Sequence, residues 1–231
     1  MKNILLMGDS IRAGYDTYVR ESFQGKANVY FPEGDNCRFA QFLLRNLHVW
    51  TEGMDVKSFD VIHWNAGLWD TLRIYEDECL TPIDAYVNFL ERIQSRIEKI
   101  YPGAISIFAT STPVIESGYI ADYEMRYNAD VERYNKAAVQ ALTARGVIIN
   151  DLYSLLKNVP DDYHSDQTHF YTAKATELIG GRVNEVLCSA LGMDKGTLLS
   201  PNPDKFVVTG IKCDNELYVK KGDRYERIIG I

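Results

Sequence analysis

Five short runs of apolar residues recur along the chain, and turn residues such as Gly8, Pro32 and Gly103 stand beside several of them. The runs cover residues 3–7, 27–31, 59–65, 104–110 and 147–150. Apolar runs of four to seven residues predict β-strands, and the runs without polar alternation predict strands that are buried on both faces.

The stretches between these runs repeat their apolar residues every three or four positions, which is the period of an amphipathic helix. They predict helices over residues 37–50, 82–101, 122–145 and 172–191. Thr81 before Pro82 is typical of a helix start, and Gly146 and Gly192 stand where the last two of these helices would end.

Strands that alternate with helices of this length indicate a mainly parallel sheet with helices on both faces. We therefore predict an α/β fold over residues 1–193, a flavodoxin-like three-layer α/β/α sandwich with a five-stranded parallel sheet. From residue 194 the pattern changes. Residues 206–208 and 216–219, with a turn at Asp214-Asn215, predict a small C-terminal β-hairpin appendage over residues 194–231.

Composition and charge narrow the class of partner. The chain has 25 Lys and Arg against 32 Asp and Glu, a formal net charge of −7, which argues against nucleic-acid binding because phosphates require a basic surface. No apolar run approaches the roughly 20 residues that span a bilayer, and the run before Asp9 is too short for a signal peptide. We expect a cytoplasmic protein that binds neither nucleic acid nor membrane. The scattered cysteines form no metal-binding pattern, so we expect no metal ion and no other cofactor.

The first candidate for chemistry is Gly8-Asp9-Ser10, directly after the first predicted strand. A serine at the carboxyl end of a buried strand lies at the edge where parallel sheets bind ligands, and its backbone N–H can face a developing oxyanion. The alternative is structural, because Asp-Ser is also an ordinary start of a helix. The tripeptide alone does not decide between a nucleophile and a helix cap.

The second candidate is Asp166-Gln167-Thr168-His169. A serine needs a base to remove its proton, and an imidazole base needs a carboxylate that holds its tautomer. A carboxylate three residues before a histidine can reach back to one ring nitrogen. His164 has the same relationship to Asp161, so this spacing does not choose between the two histidines.

Together, Gly8-Asp9-Ser10 near the N-terminus and Asp-x-x-His near the C-terminus resemble the SGNH/GDSL hydrolase superfamily. The resemblance covers about residues 3–192. In that family a short turn joins the catalytic histidine to the last helix, which matches His169 and the helix from Thr172. The resemblance thus implies a serine nucleophile at Ser10, activated by Asp166 and His169.

The resemblance also implies an oxyanion hole formed by Ser10, Gly34 and Gly67. Gly34 follows the second strand, although a glycine there is equally simple as a turn residue. After the third strand, Gly67 and Asp70 match the family pattern, but Trp69 stands where the family has an asparagine. The missing donor can be replaced by Asn36, Asn65 or the Trp69 indole, and Asn65 can also be a structural residue at the end of its strand.

The expected function is an esterase that removes a small acyl group, acetyl first, from a small molecule or a carbohydrate. Two alternatives remain open. One is an acyltransferase of the same fold, and the other is a degenerate, non-catalytic carbohydrate-binding member, which the tryptophan at position 69 keeps in consideration. The sequence makes no prediction of the oligomeric state.

Overall fold

A computed structural model describes residues 1–117, 123–206, 212–213, 216–221 and 224–228, with side chains up to residue 206. Its strands are β1 (Lys2–Met7), β2 (Ala27–Tyr30), β3 (Val61–Trp64), β4 (Arg73–Ile74), β5 (Ile105–Ala109), β6 (Glu124–Met125), β7 (Ile148–Asn150), β8 (Lys212–Cys213), β9 (Glu216–Lys221) and β10 (Arg224–Ile228). Its α-helices are α1 (Ser10–Ala13), α2 (Asp16–Ser22), α3 (Ala40–Glu52), α4 (Ile83–Ile100), α5 (Asn128–Thr143), α6 (Leu152–Leu156) and α7 (Ala173–Leu191).

The five predicted strands form one parallel sheet in the order β2-β1-β3-β5-β7. This is the flavodoxin-like strand order, in which the chain reverses direction across the sheet at β1 and β3. The carboxyl ends of β1 and β3 are therefore neighbours, and the register pairs Met7 with Trp64. The predicted fold class is confirmed.

Helices cover both faces of the sheet. Alternate residues of β1 point to opposite faces, so Ile4 and Leu6 join a core beneath α2 and α7, whereas Leu5 and Met7 join a core beneath α3, α4 and α5. These two cores give the three layers of the sandwich. The four long predicted helices are all present within a few residues of their expected ends, except at the start of α5.

The structure adds elements that the apolar pattern did not predict. Residues 10–22 form α1 and α2, which are too short to show a helical period. The expected helix over residues 122–145 begins only at Asn128, because β6 pairs with β4 as a two-stranded antiparallel ribbon. This ribbon joins the segment after β3 to the segment after β5, and both segments leave the sheet at its carboxyl edge.

The C-terminal segment contains a small antiparallel sheet in the order β10-β9-β8, in agreement with the predicted β-structure. Phe206, predicted in a strand, ends a 3-10 helix, Pro203–Phe206, and its ring packs on Tyr18 of α2. Val207-Val208 and the predicted turn at Asp214-Asn215 lie outside the described residues. The boundary at residues 193 and 194 stays a prediction.

In the part of the chain that the structure describes, none of the helices is both long enough and apolar enough to span a bilayer.

Candidate active site

The turn after β1 places Ser10 at the start of α1. The carboxylate of Asp9 accepts a hydrogen bond from the backbone N–H of Ile11 at 3.0 Å, so Asp9 is the residue that caps the helix. Ser10 is the first residue of that helix, and its hydroxyl is not used for capping. Asp9 is therefore the helix cap of the Asp-Ser pair, and the hydroxyl of Ser10 is left available for chemistry.

Asn65, directly after β3, is hydrogen-bonded to this turn. Its Nδ2 donates a hydrogen bond to Asp9 Oδ1 at 2.9 Å. A Cβ atom on Gly8 would lie 1.8 Å from Asn65 Oδ1, so only glycine allows the two strand ends to approach this closely. Burial raises the pKa of Asp9, and the hydrogen bonds from Asn65 and Ile11 offset part of that effect.

Ser10, His169 and Asp166 form a continuous hydrogen-bonded array. His169 Nδ1 donates to Asp166 Oδ2 at 2.7 Å, which leaves Nε2 as the acceptor for the Ser10 hydroxyl at 2.8 Å. Ser10 is almost fully buried, whereas the imidazole is about a quarter exposed and can be reached from solvent. This arrangement can transfer a proton from the hydroxyl to the imidazole.

The loop before α7 holds the carboxylate in this orientation. Asp166 Oδ1 accepts hydrogen bonds from the backbone N–H groups of Thr168 and His169 at 2.7 and 2.8 Å, and its other oxygen faces the imidazole. Burial by itself would raise the pKa of the Asp166 carboxyl, but the neighbouring imidazole and the two N–H donors outweigh it and hold the pKa well below its usual range. Asp166 is therefore an ionised partner for His169.

The structure distinguishes the two histidines that the sequence left equivalent. The His164 ring packs against Phe170 with 3.9 Å between ring centroids, and burial lowers its pKa. The backbone N–H of Ser165 donates to the carbonyl of His169 at 2.8 Å, which closes a tight turn between the two histidines. Of the two, His169 is the one that this turn brings to Ser10.

Two asparagines of α5 hold the segment after β5 against the same site. Asn135 both accepts from Ser111 N and donates to Ser111 O, and Asn128 makes the same pair of bonds to Val114. The next residue, Ile115, donates its N–H to Gln167 O at 2.8 Å. This chain of bonds connects α5 to the loop that carries Asp166 and His169.

Ser10 and Gly67 both have backbone N–H groups that suit an oxyanion. The N–H of Ser10 lies in the first turn of α1, where a helix has no acceptor of its own. The N–H of Gly67 has no acceptor among the described residues. Gly67 has φ +148, and a Cβ atom there would lie 2.2 Å from Ser111 Oγ, so both the backbone and the packing require glycine.

Gly34 lies in an exposed turn with φ +65, and a Cβ atom there would meet no other atom within 4 Å. The turn interpretation thus accounts for this glycine without an oxyanion role. Asn36 is buried, and its Oδ1 accepts from Arg38 N at 2.9 Å. Cys37 contacts the turn that carries Ser10, because its N–H donates to Gly8 O at 3.0 Å and its Sγ accepts from Gly8 N.

The remaining donor candidates differ in their surroundings. The amide of Asn65 is already bonded to Asp9, which fits its structural interpretation. The Trp69 ring is partly exposed and meets Phe39 in an edge-to-face contact with 5.4 Å between centroids. Asp70, which matches the pattern of the resembling family, is buried and accepts a hydrogen bond from Ala40 N at the start of α3. This burial raises the pKa of Asp70 to about 7.

Two residues at the site had no role in the sequence-based prediction. Arg126 is buried, and its Nε donates to Leu68 O at 2.6 Å, next to Gly67. Tyr171 lies two residues after His169, and its ring stacks on the imidazole. The position of Tyr171 two residues after His169 could have indicated a role at the site, whereas no pattern in the sequence distinguishes Arg126 from other arginines. Within residues 1–117 and 123–206, no group of three or more His, Cys, Asp or Glu side chains is placed to hold a metal ion.

Solved structures of several ester-cleaving proteins are similar to this chain. An acetyl xylan esterase, AlAXEase, matches with a TM-score of 0.62 and 15% identity over 80% of this chain and 99% of its own. A lipase/acylhydrolase from Enterococcus faecalis matches with a TM-score of 0.60 and 20% identity over 87% and 99% of the two chains. A member of the lipolytic G-D-S-L family from Veillonella parvula matches with a TM-score of 0.58 and 18% identity over 80% and 98%.

No protein-family model matches the sequence, and no curated protein sequence matches it significantly. At these identities the structural likeness establishes the fold. The sheet order, the position of Ser10 after β1 and the position of His169 before α7 agree with it. The chain has the fold of the SGNH/GDSL hydrolases.

Proposed function

We propose that this protein is a serine ester hydrolase that forms an acyl-enzyme on Ser10. The observation that carries the proposal is the hydrogen-bonded array of Ser10, His169 and Asp166, with 2.8 Å from Oγ to Nε2 and 2.7 Å from Nδ1 to Oδ2. A nucleophile within hydrogen-bond reach of a base, which is in turn oriented by a carboxylate, is the arrangement that acyl transfer requires. The similar structures of esterases and acylhydrolases support the same reaction class.

In the first half of the reaction, Ser10 Oγ attacks the ester carbonyl carbon while His169 Nε2 accepts the hydroxyl proton. The tetrahedral intermediate then collapses, the bond to the leaving alcohol breaks, and His169 returns the proton to that alcohol. Asp166 stabilises the imidazolium that exists between these two events, because its carboxylate is ionised and fixed by backbone N–H groups.

In the second half, a water molecule attacks the acyl carbon with His169 as its base, the bond from the acyl carbon to Ser10 Oγ breaks, and His169 returns the proton to Oγ as the carboxylic acid leaves. The backbone N–H groups of Ser10 and Gly67 are the donors that we propose for the oxyanion in both halves. Trp69 replaces the asparagine that supplies a third donor in the resembling family, so we propose a hole formed mainly by backbone groups.

For the substrate, we propose an acetyl ester on a carbohydrate. The ribbon of β4 and β6 ends in a pair of tyrosines, since Tyr75 N donates to Tyr123 O at 2.7 Å and the two rings lie 5.4 Å apart. Tyr75 is 78% exposed and has a left-handed φ of +53. An exposed aromatic ring that the backbone holds in a costly conformation suits stacking on the apolar face of a sugar. The likeness to an acetyl xylan esterase supports the same substrate class.

The test is covalent labelling with a fluorophosphonate, combined with hydrolysis of 4-nitrophenyl acetate. We expect the label on Ser10, identified by peptide mass spectrometry, and turnover of the ester. Ser10→Ala should remove both, with unchanged circular dichroism. Ser95→Ala, at an exposed serine of α4, is the matched control and should retain both.

Absence of labelling and of turnover in the unaltered protein would contradict the proposal and favour a non-catalytic binding protein. Labelling without net hydrolysis, but with acetyl transfer to an added alcohol, would instead assign the protein as an acyltransferase.

A further inference from the structure

Tyr171 contacts both the proposed base and the segment of the proposed nucleophile. Its ring lies nearly parallel to the His169 imidazole, with 4.8 Å between centroids and 14° between planes. Its hydroxyl donates a hydrogen bond to the backbone carbonyl of Ser10 at 2.6 Å. The side chain is 1% exposed, so surrounding atoms hold it in this position.

The carbonyl of Ser10 needs this hydroxyl because α1 has only one turn. In a longer helix the N–H of Gly14 would donate to this carbonyl. Here it donates to Ile11 O at 3.1 Å instead. A buried carbonyl without a donor costs free energy, and the Tyr171 hydroxyl supplies the donor. The bond therefore connects the residue that carries the nucleophile to the loop that carries the base.

Gly14 makes room for the tyrosine ring. A Cβ atom at this position would lie 2.7 Å from Cδ1 of Tyr171, although the backbone φ of −74 is one that any residue adopts. Glycine is therefore required here by the ring of Tyr171 and not by backbone conformation. The carbonyl of Gly14 also accepts a hydrogen bond from Thr176 Oγ1 of α7 at 3.1 Å, so the loop before α7 bonds to the first residue of α1 and α7 bonds to the residue that follows α1.

We infer that Tyr171 is a positioning residue that sets the distance and orientation between His169 Nε2 and Ser10 Oγ, an inference that rests on the proposed function. The stacked ring restricts rotation of the imidazole about its Cβ–Cγ bond, and the hydroxyl restricts movement of the Ser10 backbone. Proton transfer and attack depend steeply on this geometry, since a misplacement of about 1 Å costs about a hundredfold in rate. Tyr171 acts through the two residues that carry the reacting atoms.

The experiment compares three variants by kcat, KM and the rate constant of fluorophosphonate labelling at Ser10. Tyr171→Phe keeps the ring and removes the hydroxyl, and we expect kcat and the labelling rate to fall about tenfold with KM unchanged. Tyr171→Leu also removes the ring, and we expect a fall of about a hundredfold. Thermal unfolding followed by circular dichroism identifies a temperature at which every variant is folded.

Thr176→Val is the matched control. It removes a buried hydroxyl that bonds α7 to Gly14, directly after α1, but makes no hydrogen bond to Ser10 or His169. A residue that only holds the fold together would affect stability in the same way as Thr176. We expect Thr176→Val to lower the melting temperature by an amount similar to Tyr171→Phe and to leave the labelling rate within about twofold.

Equal labelling rates for the unaltered protein, Tyr171→Phe and Tyr171→Leu would overturn the inference while leaving the proposed function intact. A parallel loss of labelling in Tyr171→Phe and Thr176→Val would also overturn it, because the effect would then be structural. If the unaltered protein is not labelled at Ser10, the proposed function fails and this inference fails with it.

Discussion

The Oγ atom of Ser10 and the Nε2 atom of His169 lie 2.8 Å apart, although 159 positions separate the two residues along the chain. Ser10 follows β1, an internal strand of the sheet, and His169 precedes α7, the last long helix. Contacts of α7 with α2 and with Gly14 bring the two ends of the fold together. The pair thus depends on the complete sandwich, and its function can be tested residue by residue.

Alanine variants of His169 and His164 should show which of the two histidines is the base. His169→Ala removes the base, and we expect kcat for 4-nitrophenyl acetate to fall on the order of a thousandfold or more. His164→Ala removes a ring that packs on Phe170, so it should affect stability and leave kcat within about threefold. Steady-state kinetics on both folded variants check this. An inactive His164→Ala beside an active His169→Ala would contradict our assignment of the base.

Trp69→Phe tests whether the indole is an oxyanion donor. The Trp69 ring contacts the ring of Phe39, and phenylalanine at position 69 can retain this contact. We expect Trp69→Phe to change KM or acyl-chain preference and to leave kcat within about threefold, because only a donor aimed at the tetrahedral intermediate acts on kcat. A tenfold or larger loss of kcat at constant KM would assign the donor role to the indole.

Tyr75→Ala tests the proposed carbohydrate platform. The ring is exposed and follows β4 at the end of the ribbon, so its removal should not disturb hydrolysis of 4-nitrophenyl acetate. For acetylated xylo-oligosaccharides we expect KM to rise about tenfold, equivalent to about 1.4 kcal/mol of stacking. Tyr75→Trp is the control that should retain the low KM. Equal effects of Tyr75→Ala on both substrates would contradict a sugar-stacking role.

Gly67→Ala should destabilise the fold much more than an ordinary glycine substitution. The new Cβ would collide with Ser111 Oγ in addition to the strain of the backbone, at a cost of roughly 3 kcal/mol in the free energy of unfolding. Gly146→Ala is the comparison, since Gly146 also has a positive φ but open space at its Cβ, and should cost about 1 kcal/mol. Urea unfolding measures both, and equal costs would contradict the proposed close packing.

His63 makes the stability of the protein sensitive to acid. It is fully buried on β3, where Nε2 accepts from Asn150 Nδ2 at 3.1 Å, and burial lowers its pKa to about 4. An unfolded histidine binds its proton near pH 6.5. Between these values the unfolded state binds more protons, so the stability present above pH 6.5 is lost as the pH falls towards 4, by an amount on the order of 3 kcal/mol.

The corresponding measurement compares the unaltered protein with His63→Gln from pH 4 to pH 7. Glutamine does not titrate, and its carbonyl can still accept from Asn150. We expect the difference in unfolding free energy between the two proteins to favour the unaltered protein most at pH 7 and to shrink as the pH falls. A difference that is constant with pH would show that His63 does not titrate in this way. The buried Asp70 carboxyl, with a pKa raised to about 7, also makes stability depend on pH, but this contribution cancels because both proteins contain Asp70.

Much of the fold followed from local patterns. The five apolar runs became the five parallel strands, because a strand buried on both faces has few polar residues whatever surrounds it. The short helices α1 and α2 and the ribbon of β4 and β6 did not follow, since two-residue strands and helices of one or two turns are stabilised by their neighbours and are too short to show a period of their own. Arg73 shows this dependence, because its paired bonds to Asp130 tie the ribbon to α5.

The sequence by itself determined the sandwich, placed Ser10 at its carboxyl edge and offered two Asp-x-x-His segments for the base, because apolar runs, motif spacing and the order of elements are properties of the chain. The tertiary structure decided which histidine reaches Ser10, which glycines are crowded, and that Tyr171 contacts both His169 and the backbone of Ser10. These outcomes depend on differences of about a few tenths of an ångström in the distances between residues remote in sequence. Such distances are set by side-chain packing and by hydrogen bonds such as Ile115 to Gln167, and no local pattern encodes them.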